Sequence, residues 1–314
     1  MPPLKVETLH DNVAGIARAV AILRDGGLLA LPTETVYGLA ADARNNTAVA
    51  RIFEAKGRPT FNPLIVHVLS VEAAAELVDF SDTARTLAEA FWPGPMTLVL
   101  PSRGNVADLV SGGLDTLAVR VPAHSLARKV LAEFGGPIAA PSANPSGQIS
   151  PTLAQHVLDG LEGRIDAVLD GGACGVGLES TILAPGPDGV RLLREGGISR
   201  EAVEARVGPV VADLTPGRVE APGQMERHYA PRTKVLLGGD AQAGEVTVGF
   251  GATPGELSLS EDGDLVDAAA RLFAVLHGAD ALATSRGAPA IRVAAVPEVG
   301  LGRAINDRLR RAAT

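Results

Sequence analysis

The chain has 314 residues, of which 46% are hydrophobic and 20% charged, so it can bury a full core and is long enough for two domains. Its formal net charge of -8 excludes a broad basic surface of the kind that nonspecific nucleic-acid binders display, and any anion site must be local. The single cysteine excludes an intramolecular disulfide framework and a cysteine-cluster metal site.

Several common motifs are missing from the sequence. The four lysines lack the glycine pattern of a P-loop, no G-x-G-x-x-G opens a helix, and there is no H-E-x-x-H. A bound nucleotide must therefore be held in another way. We see neither a signal-peptide h-region nor about 18 uninterrupted apolar residues, so we expect a cytoplasmic protein without membrane spans.

A helix predicted over residues 13–23 leads into the stretch 28–43, which reads LLALPTETVYGLAADA. Four apolar residues run directly into a Pro-Thr-Glu-Thr loop. This pattern is typical of a strand that ends at a functional site, and also of a polar turn.

The next helix is predicted to start after the cap residues 45–47 and to end at Lys56-Gly57-Arg58-Pro59. Cations and a glycine at this end are ordinary features of a helix C-terminus. The alternative is a clamp for an anion.

A strand is predicted over residues 64–68, with His67 on the opposite face from the larger apolar set. A single strand histidine is more often a satisfied core or edge residue than a functional one. Two helices, a turn and a strand follow, over residues 71–78, 82–91, 92–95 and 96–100.

The strand over residues 117–121, extended back to Thr116, places Thr116, Ala118 and Arg120 on one face. Polar residues at both ends of that face are about 13 Å apart, a separation that suits two ends of an elongated ligand. An unpaired buried arginine is costly, so a carboxylate of the protein or of a ligand must meet Arg120.

Further along, the loop 141–147 is rich in small hydroxyl and amide residues, which suits a phosphate or base cradle and equally a tight turn. The neighbouring elements are, in chain order, a helix over 125–134, a strand over 137–140, a helix over 153–161, strands over 167–169, 180–183 and 190–193, and a helix over 200–207. Because helices and strands alternate without strict βαβ regularity, we predict a mixed, twisted α/β sheet.

We divide the chain into a catalytic domain over 1–212, a linker over 213–233 and a small α/β domain over 234–314. For the small domain we expect a parallel sheet. Its predicted elements are strands near 235 and over 246–250, a helix over 265–277, a strand over 291–296 and a basic helix over 302–313. The proline-rich linker carries His228 and Tyr229, and we expect Tyr229 to act as a lid over a bound nucleotide.

Together these motifs resemble the threonylcarbamoyl-AMP synthase family over the whole YrdC-like domain, about residues 10–210, and on into the second domain of its longer members. The matching segments are 28–43, Lys56-x-Arg58 with 63–67, 92–95, 118–121, Ser142-x-Asn144, 179–181, 193–196 and 300–308. The linker departs from the family pattern S-P-G-M-K-Y, since residues 221–226 read APGQME.

The resemblance implies a YrdC-like domain followed by a smaller Rossmann-like α/β domain. It implies synthesis of threonylcarbamoyl-AMP and pyrophosphate from L-threonine, bicarbonate or CO2, and ATP with Mg2+, for a tRNA modification beside the anticodon. It implies ATP contacts by Lys56, Arg58, Asn62, Thr116, Ser142, Asn144, Ser150, Arg194 and Tyr229. It implies threonine contacts by Thr35, His67, Arg120, Ala140 and Ser180. Lys56 and Arg58 would neutralise phosphate charge, and no metal ligand is assigned to a protein side chain.

Two other functions are consistent with parts of the sequence. One is a module that binds double-stranded RNA or tRNA without ATP turnover, although the net charge and an aromatic content of 3% do not favour it. The other is a carbamoyl transferase with a preformed donor, which would turn over without ATP. We expect a downstream tRNA transfer machinery as partner, with any tRNA contact weak or indirect.

Overall fold

The computed structural model describes residues 5–212, 220–223 and 228–314. The first domain is built on one sheet with helices packed around it. Its strands are β1 (Glu7–His10), β2 (Leu29–Leu31), β3 (Gly38–Asp42), β4 (Ile65–His67), β5 (Met96–Pro101), β6 (Thr116–Arg120), β7 (Ile138–Ala139), β8 (Ala167–Asp170), β9 (Thr181–Gly186), β10 (Gly189–Arg194) and β11 (Val210–Ala212). Its helices are α1 (Val13–Arg24), α2 (Asn46–Lys56), α3 (Val71–Ala75), α4 (Asp82–Phe91), α5 (Asp108–Ser111), α6 (Ser125–Phe134), α7 (Ala154–Leu161) and α8 (Arg200–Val207).

The strand order in this sheet is β1-β8-β2-β3-β7-β4-β6-β5-β9-β10-β11. Parallel pairs such as β4 with β6 alternate with antiparallel pairs such as β5 with β6, so the predicted mixed α/β sheet is confirmed. The pairing also brings distant parts of the chain together, because His67 on β4 lies opposite Arg120 on β6.

Strands β1, β3 and β11 were not predicted from the sequence. β3 consists of small and apolar residues without alternation, and it pairs antiparallel with β2 through Leu31 and Gly38. The Pro-Thr-Glu-Thr loop is therefore the connection of a β2–β3 hairpin. The backbone at Gly38 passes close to the neighbouring strand, since a Cβ at this position would lie 3.1 Å from the Cβ of Ala140.

The second domain is a four-stranded sheet with the order β12-β15-β13-β14, and every pair in it is parallel, as predicted. Its elements are β12 (Val235–Leu237), β13 (Val246–Gly249), β14 (Leu257–Ser258), α9 (Leu265–Arg286), β15 (Ile291–Val293) and α10 (Gly302–Ala312). Helix α9 runs beyond the predicted end at His277, because Ala279 and Ala283 continue its buried face and Gly287, with φ of 63°, ends it.

The second domain packs against loops of the first. Val36, Ile149 and Leu178 from the first domain belong to the same buried cluster as Phe273 of α9. The predicted linker over 213–233 lies outside the described residues except for 220–223 and 228–233. In the part of the chain that the structure describes, no helix is long and apolar enough to cross a membrane.

Candidate functional site

A buried cavity lies where the ends of β4, β6 and β7 meet the hairpin loop after β2. Of the fourteen predicted site residues, nine line this cavity: Thr35, Arg58, His67, Arg120, Ala140, Ser142, Ser180, Arg194 and Tyr229. The pairing of the strands explains the convergence, since β7, β4 and β6 are neighbours in the sheet although they are far apart in sequence.

The hairpin loop is held by its own hydroxyl groups. Thr33 Oγ1 donates to the carbonyl oxygen of Val36 at 2.6 Å and lies 2.7 Å from Thr35 Oγ1. Both threonines are buried, so the turn is fixed by internal hydrogen bonds that replace those to water. The hydroxyl of Thr35 is thereby presented to the cavity.

Arg120, at the end of β6, is buried and makes three hydrogen bonds within the protein. Its Nε donates to the carbonyl oxygen of Gly94 at 3.1 Å, Nη1 to Thr35 Oγ1 at 2.9 Å, and Nη2 to Glu34 Oε1 at 2.6 Å. The other oxygen of Glu34 accepts from the amide of Ala123 at 3.1 Å. Burial alone would raise the pKa of the Glu34 carboxyl, but Arg120 outweighs it and holds this pKa below its ordinary value. A protein carboxylate therefore meets Arg120.

His67 lies beside Arg120 in the same cavity wall. Burial first, and then the charge of Arg120, lower the pKa of His67 to about 3. The ring is therefore neutral at physiological pH, and its Nδ1 has no hydrogen-bond partner among the described residues. A neutral imidazole with a free nitrogen suits hydrogen bonding to a substrate better than charge neutralisation.

Two further buried guanidinium groups line the cavity, those of Arg58 and Arg194. Arg58 donates through Nη2 to Asn62 Oδ1 at 2.7 Å and to the carbonyl oxygen of Pro63 at 2.8 Å. Arg194 donates through Nε and Nη2 to the carbonyl oxygen of Ser180, at 3.0 and 2.9 Å. Burial lowers the pKa of Arg58 to about 10 and that of Arg194 in the same direction, and both remain protonated at neutral pH. Their partners are all uncharged oxygens, so a positive charge remains for an anion to neutralise.

Lys56 does not line the cavity but supports one of its loops. Its ammonium group donates to the carbonyl oxygens of Ser142 and Asn144, and Gly57, in the left-handed conformation with φ of 58°, ends α2 directly after it. Burial, followed by the charge of Arg58, lowers the pKa of Lys56 well below its ordinary value. In this conformation the ammonium group of Lys56 holds the backbone of the loop 141–147.

Four more predicted residues lie outside the cavity lining. Asn62 holds Arg58, and Asn144 donates to the carbonyl oxygens of Pro145 and Gln148 within its own loop. Ser150 donates to Glu179 Oε1 at 2.6 Å. Thr116 is the first residue of β6 and is partly exposed.

Tyr229 and His228 close the cavity on the side of the second domain. Tyr229 is fully buried in the left-handed conformation, with φ of 63°. Together with Pro222 and Gly223, these residues leave a free volume of only about 40 Å³. This is room for roughly three water molecules. This conformation of Tyr229, His228, Pro222 and Gly223 leaves less space than a nucleotide occupies.

Sequence reasoning missed three side chains that belong to this site. Glu34 stands between two threonines directly after a buried strand, and that position was a usable signal. Glu179 lines the cavity, and Thr97 Oγ1 lies 2.7 Å from Ser180 Oγ. Glu179 belongs to the matching segment 179–181 but was assigned no role, and Thr97 had no local pattern that distinguishes it. Among the described residues, no group of three or more histidine, cysteine or acidic side chains is arranged to hold a metal ion.

The mixed sheet is that of the Sua5/YciO/YrdC class: residues 21–196 match the model of that family, which carries the description "Telomere recombination". Residues 198–314 match the model described as "Threonylcarbamoyl-AMP synthase, C-terminal domain". The chain belongs to the threonylcarbamoyl-AMP synthase family.

Relatives with that name are similar over most of the chain. A threonylcarbamoyl-AMP synthase of Pyrococcus abyssi is 41% identical over 94% of this chain and 92% of its own length. One from Bacillus subtilis is 46% identical over 74% of this chain and 68% of its own length. The crystal structure of P. abyssi Sua5 complexed with L-threonine superposes with a TM-score of 0.88 at 37% identity, covering 98% of this chain and 97% of that one.

Proposed function

We propose that this protein is an L-threonylcarbamoyladenylate synthase that condenses L-threonine, bicarbonate or CO2, and ATP to threonylcarbamoyl-AMP and pyrophosphate. The observation that carries the proposal is that one cavity is lined by Arg120, which is paired with the Glu34 carboxylate, and by Arg58 and Arg194, whose hydrogen-bond partners are uncharged. The P. abyssi relative with L-threonine bound supports threonine as the amino-acid substrate.

The end at Arg120 suits an amino acid. Arg120 has five N–H donors, of which three are used inside the protein, so two remain for a substrate carboxylate. Thr35 and the neutral His67 lie at the same end and offer hydrogen bonds to the rest of the molecule, and Ala140 and Ser180 complete the wall. We assign the threonine to these five residues.

The end at Arg58 and Arg194 suits the phosphates of ATP, since guanidinium groups bind phosphate oxygens in pairs. Lys56 acts on the same ligand indirectly, by holding the backbone of Ser142 and Asn144. Asn62, Ser150, Thr116 and Tyr229 complete the proposed ATP set. Mg2+ enters with the nucleotide as part of the substrate Mg-ATP, since this ion is usually held by substrate phosphates and water molecules with one or two carboxylates at most.

The chemistry needs positioning and charge neutralisation more than covalent help. The threonine amine attacks CO2, loses a proton and becomes a carbamate. A carbamate oxygen then attacks the α-phosphorus of ATP, and the bond to the β-phosphate oxygen breaks, so that pyrophosphate leaves with its electron pair. Cations fixed beside the phosphates lower the barrier for such a displacement.

Tyr229 and its neighbours have two tasks in this scheme. They must move to admit ATP, because the described cavity holds only about 40 Å³. They must then close again, because the mixed anhydride of a carbamate and AMP hydrolyses readily and exclusion of water preserves it. The product would serve the tRNA modification machinery in the cytoplasm, with tRNA contacted weakly or indirectly.

The test is mass detection of threonylcarbamoyl-AMP after the protein is mixed with ATP, threonine and bicarbonate. We expect the product only when all three substrates are present, and we expect that no RNA is needed for its formation. Turnover without ATP would favour a carbamoyl transferase, and RNA binding without ATP turnover would favour an RNA-binding module.

A further inference from the structure

Arg308 on α10 reaches out of the second domain into the first. It is fully buried, and its Nε donates to Glu179 Oε2 at 2.9 Å. Its Nη1 donates to Asp307 Oδ2 of its own helix at 2.8 Å. Burying an arginine fully costs desolvation energy, even when it pairs with a carboxylate across a domain boundary. A contribution to stability alone is therefore a weak explanation for a buried arginine at this position.

Glu179 is the acidic residue among the described residues that line the cavity. Its second oxygen accepts from Ser150 Oγ at 2.6 Å, so one carboxylate joins a proposed ATP contact to the second domain. Arg194, a proposed phosphate ligand, lies close enough to Glu179 for their charges to interact. An unneutralised carboxylate here would repel a polyphosphate and reduce the attraction of Arg194.

The same helix also holds the segment that closes the cavity. The Cζ atom of Arg308 lies 5.2 Å from the centre of the Tyr229 ring, over its face. The amide of His228 donates to the carbonyl oxygen of Arg311, one turn further along α10, at 3.3 Å. Docking of α10 therefore sets the charge at Glu179 and the position of Tyr229 together.

We propose that Arg308 is a positioning residue for the nucleotide part of the cavity: it holds and neutralises the Glu179 carboxylate, so that a bound polyphosphate meets no uncompensated negative charge while the second domain is docked. The inference rests on the proposed function for the identity of the polyphosphate. It gives the second domain a direct part in ATP binding.

The experiment measures equilibrium affinities of the full-length protein for ATP and for threonine by calorimetry. The variants are Arg308→Gln, Arg308→Lys, and Arg308→Gln combined with Glu179→Gln. Arg310→Gln is the matched control, because Arg310 lies on the same helix but pairs with Glu298 at the surface.

We expect Arg308→Gln to weaken ATP binding at least about tenfold, because one uncompensated charge then faces the phosphates. Threonine binding should stay within about twofold of the wild type, since Arg120 and its partners do not contact Arg308. Arg308→Lys should keep part of the ATP affinity. The double variant should recover most of it, because it removes the repelling carboxylate as well.

Equal losses for ATP and threonine would overturn the proposal, as would a double variant that is no better than Arg308→Gln. If Arg308→Gln does not fold, Arg308→Lys carries the same test, and an equal loss of both affinities contradicts it. The two proposals are tested separately. If the mass assay detects no adenylate product, the proposed function is refuted. The role of Arg308 is then still decided by how much each variant weakens the binding of ATP relative to that of threonine, because binding is measured without turnover.

Discussion

Replacing Arg120 with lysine tests the threonine end of the cavity most sharply. The arginine donates to Gly94, Thr35 and Glu34 and keeps two N–H groups for a substrate carboxylate. A lysine has three donors on one nitrogen, so it keeps the charge but cannot hold the three protein partners and a paired carboxylate together.

The expected loss follows from the missing pair of charge-assisted hydrogen bonds. Such bonds contribute about 1.5–3 kcal/mol, which corresponds to a roughly 10- to 150-fold higher KM for threonine. The KM for ATP should change little, because Arg120 makes its hydrogen bonds to Gly94, Thr35 and Glu34, and none of these residues is assigned to ATP. The assay is pyrophosphate release with one substrate varied while the other is saturating.

Arg128→Lys is the control for this change. Arg128 is on α6 and donates to the carbonyl oxygen of Leu69 at 3.2 Å, away from the cavity. Its substitution should leave both KM values unchanged. If Arg120→Lys raises the two KM values by the same factor, Arg120 supports the fold of the cavity as a whole and the assignment to threonine is wrong.

Three further predictions concern other parts of the molecule. Arg58→Ala should lower turnover by two or more orders of magnitude, about 3 kcal/mol in the barrier, with an unchanged circular dichroism spectrum. Arg51→Ala on the preceding helix should lose only a partly exposed ion pair with Asp166 and a hydrogen bond to the carbonyl oxygen of Gly26, with little change in turnover; equal effects on turnover would contradict the phosphate assignment. The Tyr229→Ala variant should still release pyrophosphate, but more of its adenylate should be hydrolysed to AMP. An unchanged ratio of AMP to adenylate would contradict the lid function of Tyr229. The rings of His156 and His277 stack with their centres 3.9 Å apart, and burial lowers the pKa of His156 to about 4 and that of His277 in the same direction. The melting temperature should therefore fall as the pH drops from about 6.5 to about 4, and it should fall less steeply in the His156→Gln variant. Parallel curves of melting temperature against pH for the two proteins would contradict this.

The sequence alone was sufficient for most of the architecture, because the helices with clear caps and apolar faces are predictable from periodicity. The hairpin partner β3 escaped prediction because its residues are small and apolar without alternation, so nothing marked a second strand after the polar loop. The predicted end of α9 at His277 was too early, because buried Ala279 and Ala283 continue the helix to Arg286.

The partners of the buried charges could not be predicted in the same way. The sequence required a carboxylate for Arg120 but left open whether the protein or a ligand supplies it, and Glu34 lies 86 residues away. For Lys56, helix-end chemistry and a phosphate clamp were the two interpretations. The structure shows a third contact, to backbone carbonyl oxygens of Ser142 and Asn144, because strand pairing brings that loop beside the end of α2. Such contacts depend on tertiary structure, which local patterns do not encode.

The central claim is that a carbamate of threonine attacks the α-phosphorus of ATP in this cavity. The most direct test follows the label from ATP carrying 32P at the α or the γ position, in the presence of threonine and bicarbonate and without RNA. The account predicts that the α label enters an adenylate that contains threonine and one carbon from bicarbonate, and that the γ label appears in pyrophosphate. Release of the γ label as free phosphate, or an adenylate that forms without bicarbonate, would contradict it.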